Sequence, residues 1–283
     1  MFGLLRAMVV TALLLLIAGQ AAAGGFSNPD FGVRRLGMFA VLGNPDDVTA
    51  IFHNPAGLVL GEGTRLYHAE SWFFMDLAFR MYDTQGQLKP EHELSPDWNI
   101  GTIPFFGVAS DFGTERFRGG LAVYAPNAYG AALPDDEPTR YHATEVLFLA
   151  SRATFTGAYE FDETFAVGAN VSLIHVYLQA ARFMNGAVLN DPDFKFESVE
   201  KTAAGDMQLE LDGQDWTWAV DIAALFRPLP ELRLGVVLAG GSSVDLEGDV
   251  KLTHPDGKVE KATHTTETVI PYTLKAGVNW EFA

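Results

Sequence analysis

The sequence contains no cysteine, which excludes a disulfide framework and any thiolate ligand or nucleophile. Basic residues are scarce: 19 Lys and Arg stand against 36 Asp and Glu, for a formal net charge of -17. Phosphate backbones attract clustered cations, so nucleic acid is a poor partner for this chain. Long apolar runs are missing except at the N-terminus, where Arg6 precedes a run from Ala7 to Ala18, then Gly19–Gln20 and Ala21–Ala23. That run falls short of the about 20 apolar residues a helix needs to cross a bilayer. Its basic start and Ala-x-Ala ending read as a signal peptide over residues 1–23, cleaved near Ala23.

Patterns of reactive side chains are missing too. His53, His68, His92, His142, His175, His254 and His264 contain no pair with the one-face spacing of HExxH, and the acidic loops near Asp135 and Asp191 lack the ordered oxygen-ligand pattern of an EF-hand. No metal and no cofactor is expected. An enzyme would need a nucleophile beside a base. Ser172 and His175 are an odd number of residues apart in one strand and so fall on opposite faces, and Ser151 has no GxSxG context. No catalytic residue is assigned.

What the chain does have is alternation. Period-two segments cover Thr64–Arg80, Asn99–Ala109, Gly119–Ala125, Glu145–Tyr159, Phe165–Leu173, Trp216–Phe226, Leu232–Leu238 and Ile270–Phe282, about eight strands. Brief turns (Asp111–Arg118, Glu160–Glu163, Arg227–Glu231) alternate with long polar loops (Asp83–Asp97, Asn127–Tyr141, Arg182–Asp206, Gly248–Thr266). Most strands carry one apolar face and one small or polar face. Long strands with segregated connections describe an all-β antiparallel outer-membrane barrel, with lipid outside and a polar lumen. Tyr67, Trp98, Tyr159, Tyr177, Trp216, Trp218, Tyr272 and Trp280 suit its aromatic girdles. A soluble exported β-protein and a general porin or structural barrel remain alternatives on this pattern.

Before the strands lies a stretch that cannot join a sheet, Asn44–Leu58 (NPDDVTAIFHNPAGL), within the glycine-rich segment 24–63. Pro45 and Pro55 each fix a backbone angle, Asp46 and Asp47 favour a local turn, and Ala50–Phe52 is too short for a core helix. It reads as a compact plug or cap.

Asn54-Pro55-Ala56-Gly57-Leu58, preceded by Asn44-Pro45-Asp46-Asp47, resembles the signature of FadL-type (OmpP1/FadL/TodX) outer-membrane transport proteins. Gly120–Pro126, Arg233–Gly235 and Ile270–Trp280 resemble later strands of that family, in the same order. The resemblance implies a barrel with an N-terminal hatch inside it and facilitated diffusion of long-chain fatty acids, or of aromatic hydrocarbons, with exit through a gap beside a kinked strand. Carried onto this chain, residues 24–63 form the hatch and 64–283 the wall, and Asn44, Pro45, Asp46, Asp47, Asn54, Pro55, Ala56, Gly57 and Leu58 form the gating motif. Phe26, Phe31, Met38, Phe39 and Phe52 are substrate-contact candidates, with Arg34 and Arg35 as cations for a carboxylate head, unless they pair with lumen acids such as Glu70 or Asp76. Pro104 is the candidate for an irregular wall. The resemblance also implies a monomer in contact with outer-membrane lipid and lipopolysaccharide. The family expects fourteen strands, and a barrel of about eight has no room for such a hatch. The chain is therefore expected to be an N-terminal part of a longer protein with an incomplete barrel.

Overall fold

The computed structural model describes residues 31–32, 35, 41–74, 78–82, 88–95, 100–136, 138–185 and 205–281. The expected leader and the candidates Phe26, Arg34, Met38 and Phe39 lie outside the described residues, as do Asp76 and Trp98.

Among the described residues twelve strands follow a short helix, α1 (Ala50–His53), and a 3-10 helix (Pro55–Leu60). They are β1 (Thr64–Phe74), β2 (Phe79–Tyr82), β3 (Leu88–Leu94), β4 (Ile100–Ser110), β5 (Phe117–Ala132), β6 (Glu145–Asp162), β7 (Phe165–Met184), β8 (Met207–Leu229), β9 (Leu232–Ala239), β10 (Ser242–Thr253), β11 (Val259–Ile270) and β12 (Thr273–Trp280). Ten form one antiparallel sheet in the order β1-β4-β5-β6-β7-β8-β10-β11, with β9 joining β8 to β12, while β2 and β3 make a separate ribbon. The sheet curls into an open barrel around the N-terminal segment, with β1 at one edge and β11 and β12 at the other.

The expected loop at Gly248–Thr266 needs correction. Gly248–Thr266 is not a charged loop: most of it is the β10–β11 hairpin, turning at Pro255-Asp256-Gly257 with Gly257 at φ 83. β9 and β10 run along one line, interrupted at Gly240-Gly241, and β11 and β12 along the next, interrupted at Pro271-Tyr272. Among the described residues the wall thus has eight strand lines, two of them broken. Proline has no N–H to give a ladder, and Gly240 lies so close to β8 that a Cβ there would sit 2.3 Å from the Val220 carbonyl oxygen.

The two faces of the wall differ in kind. Trp218 is 67% exposed, and Trp216, Phe155, Ile222 and Leu173 lie open beside it, an apolar surface that water would penalise and hydrocarbon satisfies. Among the described residues no helix is long and apolar enough to cross a membrane. At the short-turn end Phe112 stacks near Phe117, and Tyr159, Phe161 and Phe165 form a chain of ring contacts, as an interfacial girdle requires. Tyr67 departs from that role. It faces inward and meets Phe105 edge-on at 6.1 Å. At the opposite end Asp206 pairs with Arg140 (2.8 Å) and accepts from Tyr141 (2.9 Å) and Asn185 (2.7 Å), tying two long loops together.

β1 reverses the expected polarity. Its apolar set, Tyr67, Ala69 and Phe73, turns toward the N-terminal segment, and Leu66, His68, Glu70, Trp72 and Phe74 face out. Glu70 is therefore not a lumen acid available to Arg34 or Arg35. Apolar residues are drawn inward here because the barrel interior is filled by an apolar segment rather than by water.

Candidate ligand pocket and wall opening

The inner segment is built from local hydrogen bonds. Asp47 Oδ1 accepts from the Thr49 N–H at 2.8 Å and from its hydroxyl, opening the turn into α1. Asn54 is extended, as a residue before proline must be. Its Oδ1 accepts the Ala56 N–H (3.1 Å), while its Nδ2 donates to the carbonyls of Leu42 (2.9 Å) and, on β8, Ala224 (3.2 Å). One fully buried side chain thus joins two parts of the segment and the wall. Gly57 packs on Pro45 so tightly that a Cβ would lie 2.0 Å from the proline Cγ.

Other motif residues meet the wall. Asn44 accepts from Arg233, Asp46 O accepts from Arg65 (3.3 Å), and Asn170 donates to Ile51 O (2.8 Å). Ala56 and Leu58 are fully buried. The wall admits this close approach through missing side chains: a Cβ at Gly235 would stand 1.8 Å from the Leu42 carbonyl oxygen, and one at Gly168 2.3 Å from Ala56 N. The expected gating residues are therefore brought together as one seated unit.

Beside that unit is an aromatic cluster. Phe31 lies 4.7 Å from Phe52, 5.5 Å from Tyr124 and 5.7 Å from Phe105 by ring centroids, and Phe105 stacks on Tyr124 at 5.4 Å. Phe31 is 1% exposed, so the cluster is filled by its own rings and a guest must displace one of them. His53 Nε2 is 2.9 Å from Phe31 O. Burial holds its pKa down to about 4, so the neutral ring donates Nε2–H to that carbonyl.

Charge reaches this cluster from the wall. Lys275 on β12 places Nζ 4.6 Å from the centre of the Phe52 ring, with Asp221 and Arg152 as the charged groups it feels. Arg152 on β6 is 9% exposed, and its Nε has no hydrogen-bond partner among the described residues. Asp221 accepts from Asn170 Nδ2 (3.1 Å) and from the Gly240 N–H (3.1 Å), where the β8 ladder is interrupted. Of the expected cations, Arg35 is half-buried and close enough to act on His53.

The wall splits next to the cluster. β4 pairs with β5 only from Ser110↔Gly119 to Phe105↔Tyr124. Beyond Tyr124, β5 slips register against β6 across Ala125-Pro126 and continues to Ala132 without pairing to β4. Pro104 itself sits in a regular ladder with β1, opposite Glu70. The irregularity expected there lies on its β5 side. Phe105 and Tyr124 thus form both the last rung of the seam and part of the aromatic cluster.

Lys275, Arg152 and Asp221 were visible in the sequence only as charged residues on the small faces of apolar strands. That is a usable signal, because a charge facing the interior of such a wall needs a purpose or a partner.

In comparison with solved structures, the chain resembles a Pseudomonas aeruginosa FadL homologue at a TM-score of 0.70 and 16% identity, over 92% of this chain and 67% of that one. It resembles the P. putida toluene transporter TodX at 0.62 and 16%, over 83% and 63%, and the CymD monoaromatic hydrocarbon channel at 0.56 and 15%, over 84% and 61%. The chain thus spans about two thirds of the length of these relatives or less. No curated protein matches it in sequence. A family model described as outer membrane protein transport protein (OMPP1/FadL/TodX) matches residues 14–280, and the chain belongs to that family.

Proposed function

We propose that this protein carries hydrophobic molecules across the outer membrane by facilitated diffusion, with long-chain fatty acids as the substrate class. The observation that carries the reading is the position of the Phe31–Phe52–Phe105–Tyr124 cluster, with Lys275 over one ring, at the last rung before the β4–β5 seam opens. A guest replaces the cluster's internal contacts by its own and gains about 0.8 kcal/mol for each methylene withdrawn from water. Lys275 and Arg152 receive its carboxylate, and the seam offers a sideways path into the bilayer. No reactive group is needed.

Residues 24–63 act as the hatch, and Phe26, Arg34, Arg35, Met38 and Phe39 belong to the same ligand path. Signal cleavage near Ala23 and a monomer in contact with lipid and lipopolysaccharide complete the proposal. Names borne by similar structures, a FadL homologue and channels for toluene and monoaromatic hydrocarbons, support a hydrophobic cargo. Lys275 and Arg152 face one interior anion, Asp221, and the surplus positive charge favours the acid over the hydrocarbon. A hatch seated by buried hydrogen bonds argues against a general porin.

The test is uptake of labelled oleate and of toluene by cells with and without the full-length gene. Oleate uptake is expected to rise severalfold with the gene while a small polar solute is unaffected. Unchanged oleate uptake together with faster entry of the polar solute would replace this reading by a porin.

A further inference from the structure

The outward face of β1 carries a polar island where lipid is expected. Leu66 is 71% exposed, Trp72 59% and Phe74 78%, and between them on the same face stand His68 and Glu70, also exposed. Glu70 is six residues from the start of β1, about 20 Å along a strand that rises about 3.3 Å per residue. With a tilt of about 40° that is roughly 15 Å of depth, inside an apolar band about 25 Å tall. An ionisable residue there is costly, and residues retained at such a cost mark functional sites.

The island has a partner and a place. Thr102 on β4 donates its hydroxyl to Glu70 Oε1 at 2.7 Å. Thr102 and Pro104 belong to the part of β4 that pairs with β1 and no longer with β5. Glu70 and Thr102 therefore stand on the outer margin of the wall opening, with His68 one outward position back, opposite the still-paired Phe106.

We propose that Glu70, held by Thr102 and flanked by His68, is a binding site for the carboxylic-acid head of a ligand passing from the seam into the bilayer. The inference rests on the transport reading above and adds a second station to it. A fatty acid enters hydrocarbon as the neutral acid, because a carboxylate there is far too costly. Its O–H then needs an acceptor. Thr102 occupies one acceptor position of the Glu70 carboxyl, and the neutral group keeps further acceptor capacity for the ligand. A hydrocarbon without a head group gains nothing from the site.

The full chain, reconstituted in phospholipid vesicles, is tested with labelled oleate and with toluene. Glu70→Leu is expected to slow oleate transfer into the bilayer about fivefold, the worth of one hydrogen bond between neutral groups. Oleate binding at the aromatic cluster and toluene transfer stay within about twofold in the same variant, since the interior is untouched. Glu70→Gln, which keeps an acceptor oxygen, retains most of the oleate rate. Thr102→Val, which frees the carboxyl to wander, falls between the two. Leucine faces lipid in Glu70→Leu and should not impair folding, which the gel shift on heating checks. Oleate transfer unchanged in Glu70→Leu, or toluene slowed to the same extent, overturns the proposal. If the unsubstituted protein neither binds nor moves oleate, the transport reading itself falls and this inference with it.

Discussion

Asn54→Ala unseats the hatch while leaving the wall intact. The substitution removes one side chain, takes the partner of the Leu42 carbonyl and of the Ala56 N–H, and cuts the link to the Ala224 carbonyl, which itself stays in the ladder of β8 with β7 and β9. Each buried polar group left without a partner costs about 1–3 kcal/mol, so the combined loss is a large share of what can hold so short a segment in place. Ladders from β4 to β8 do not pass through Asn54, and the strands keep their own pairing. The barrel should therefore still show its shift in gel mobility on heating. What changes is the occupancy of the lumen. Cells carrying Asn54→Ala should become about tenfold more permeable to a bulky antibiotic or dye, the factor corresponding to about 1.4 kcal/mol in hatch seating. Antibiotic and dye entry equal to that of the parent would remove the gating role from the Asn54–Leu58 motif.

The second large effect concerns substrate choice. Lys275→Met keeps most of the length and apolar body of the side chain but deletes the ammonium that stands over Phe52. A carboxylate held near that charge in surroundings of intermediate dielectric gains about 4 kcal/mol of direct attraction at 4 Å, before desolvation is subtracted. The net loss expected for oleate is a 10- to 100-fold weaker binding, the range of one charge-assisted hydrogen bond. Asp221 adds to the effect, since it remains in place and repels the incoming acid once its neighbouring cation is gone. Toluene carries no charge and should bind within about twofold of the parent, since the ring packing survives. Titration of each ligand against the quenching of intrinsic fluorescence separates the two. Equal losses for oleate and toluene would show that Lys275 supports packing, and the fatty-acid preference would then lose its basis.

Much of this architecture is legible in the sequence because the sheet has a period of two and lipid enforces it. The alternation in Trp216–Phe226 identifies the outward face of β8, and Thr217, Ala219, Asp221 and Ala223 turn inward as that pattern requires. The motif Asn54–Leu58 is legible for a different reason: prolines and glycines restrict the backbone whatever surrounds them. β1 misleads because the period gives two faces without saying which is inside. There the face bearing Glu70 reads as the lumen side, yet the apolar N-terminal segment draws the opposite face inward. The β10–β11 hairpin was hidden by its composition. Thr263, Thr265, Thr266 and the charges among them read as a loop, yet β-branched threonine fits a ladder well and the pairing with β10 is continuous. The aromatic cluster could not be assembled from one dimension, since Phe31, Phe52, Phe105 and Tyr124 come from four separate stretches. Their meeting depends on where β4 and β5 part, and a one-residue slip at Ala125-Pro126 leaves almost no trace in the sequence.

Sideways passage through the β4–β5 seam is the central claim, and the absence of cysteine makes it directly testable. Gly101 and Ala128 would face each other if the β4–β5 register continued past Phe105↔Tyr124. A side chain at Gly101 finds its nearest neighbour at 4.0 Å, so a thiol is tolerated there. With both positions changed to cysteine and joined by a reducible bis-thiol linker, oleate transfer should fall to the level of protein-free vesicles and return on reduction. Transfer that continues undiminished through the tethered seam would contradict the account.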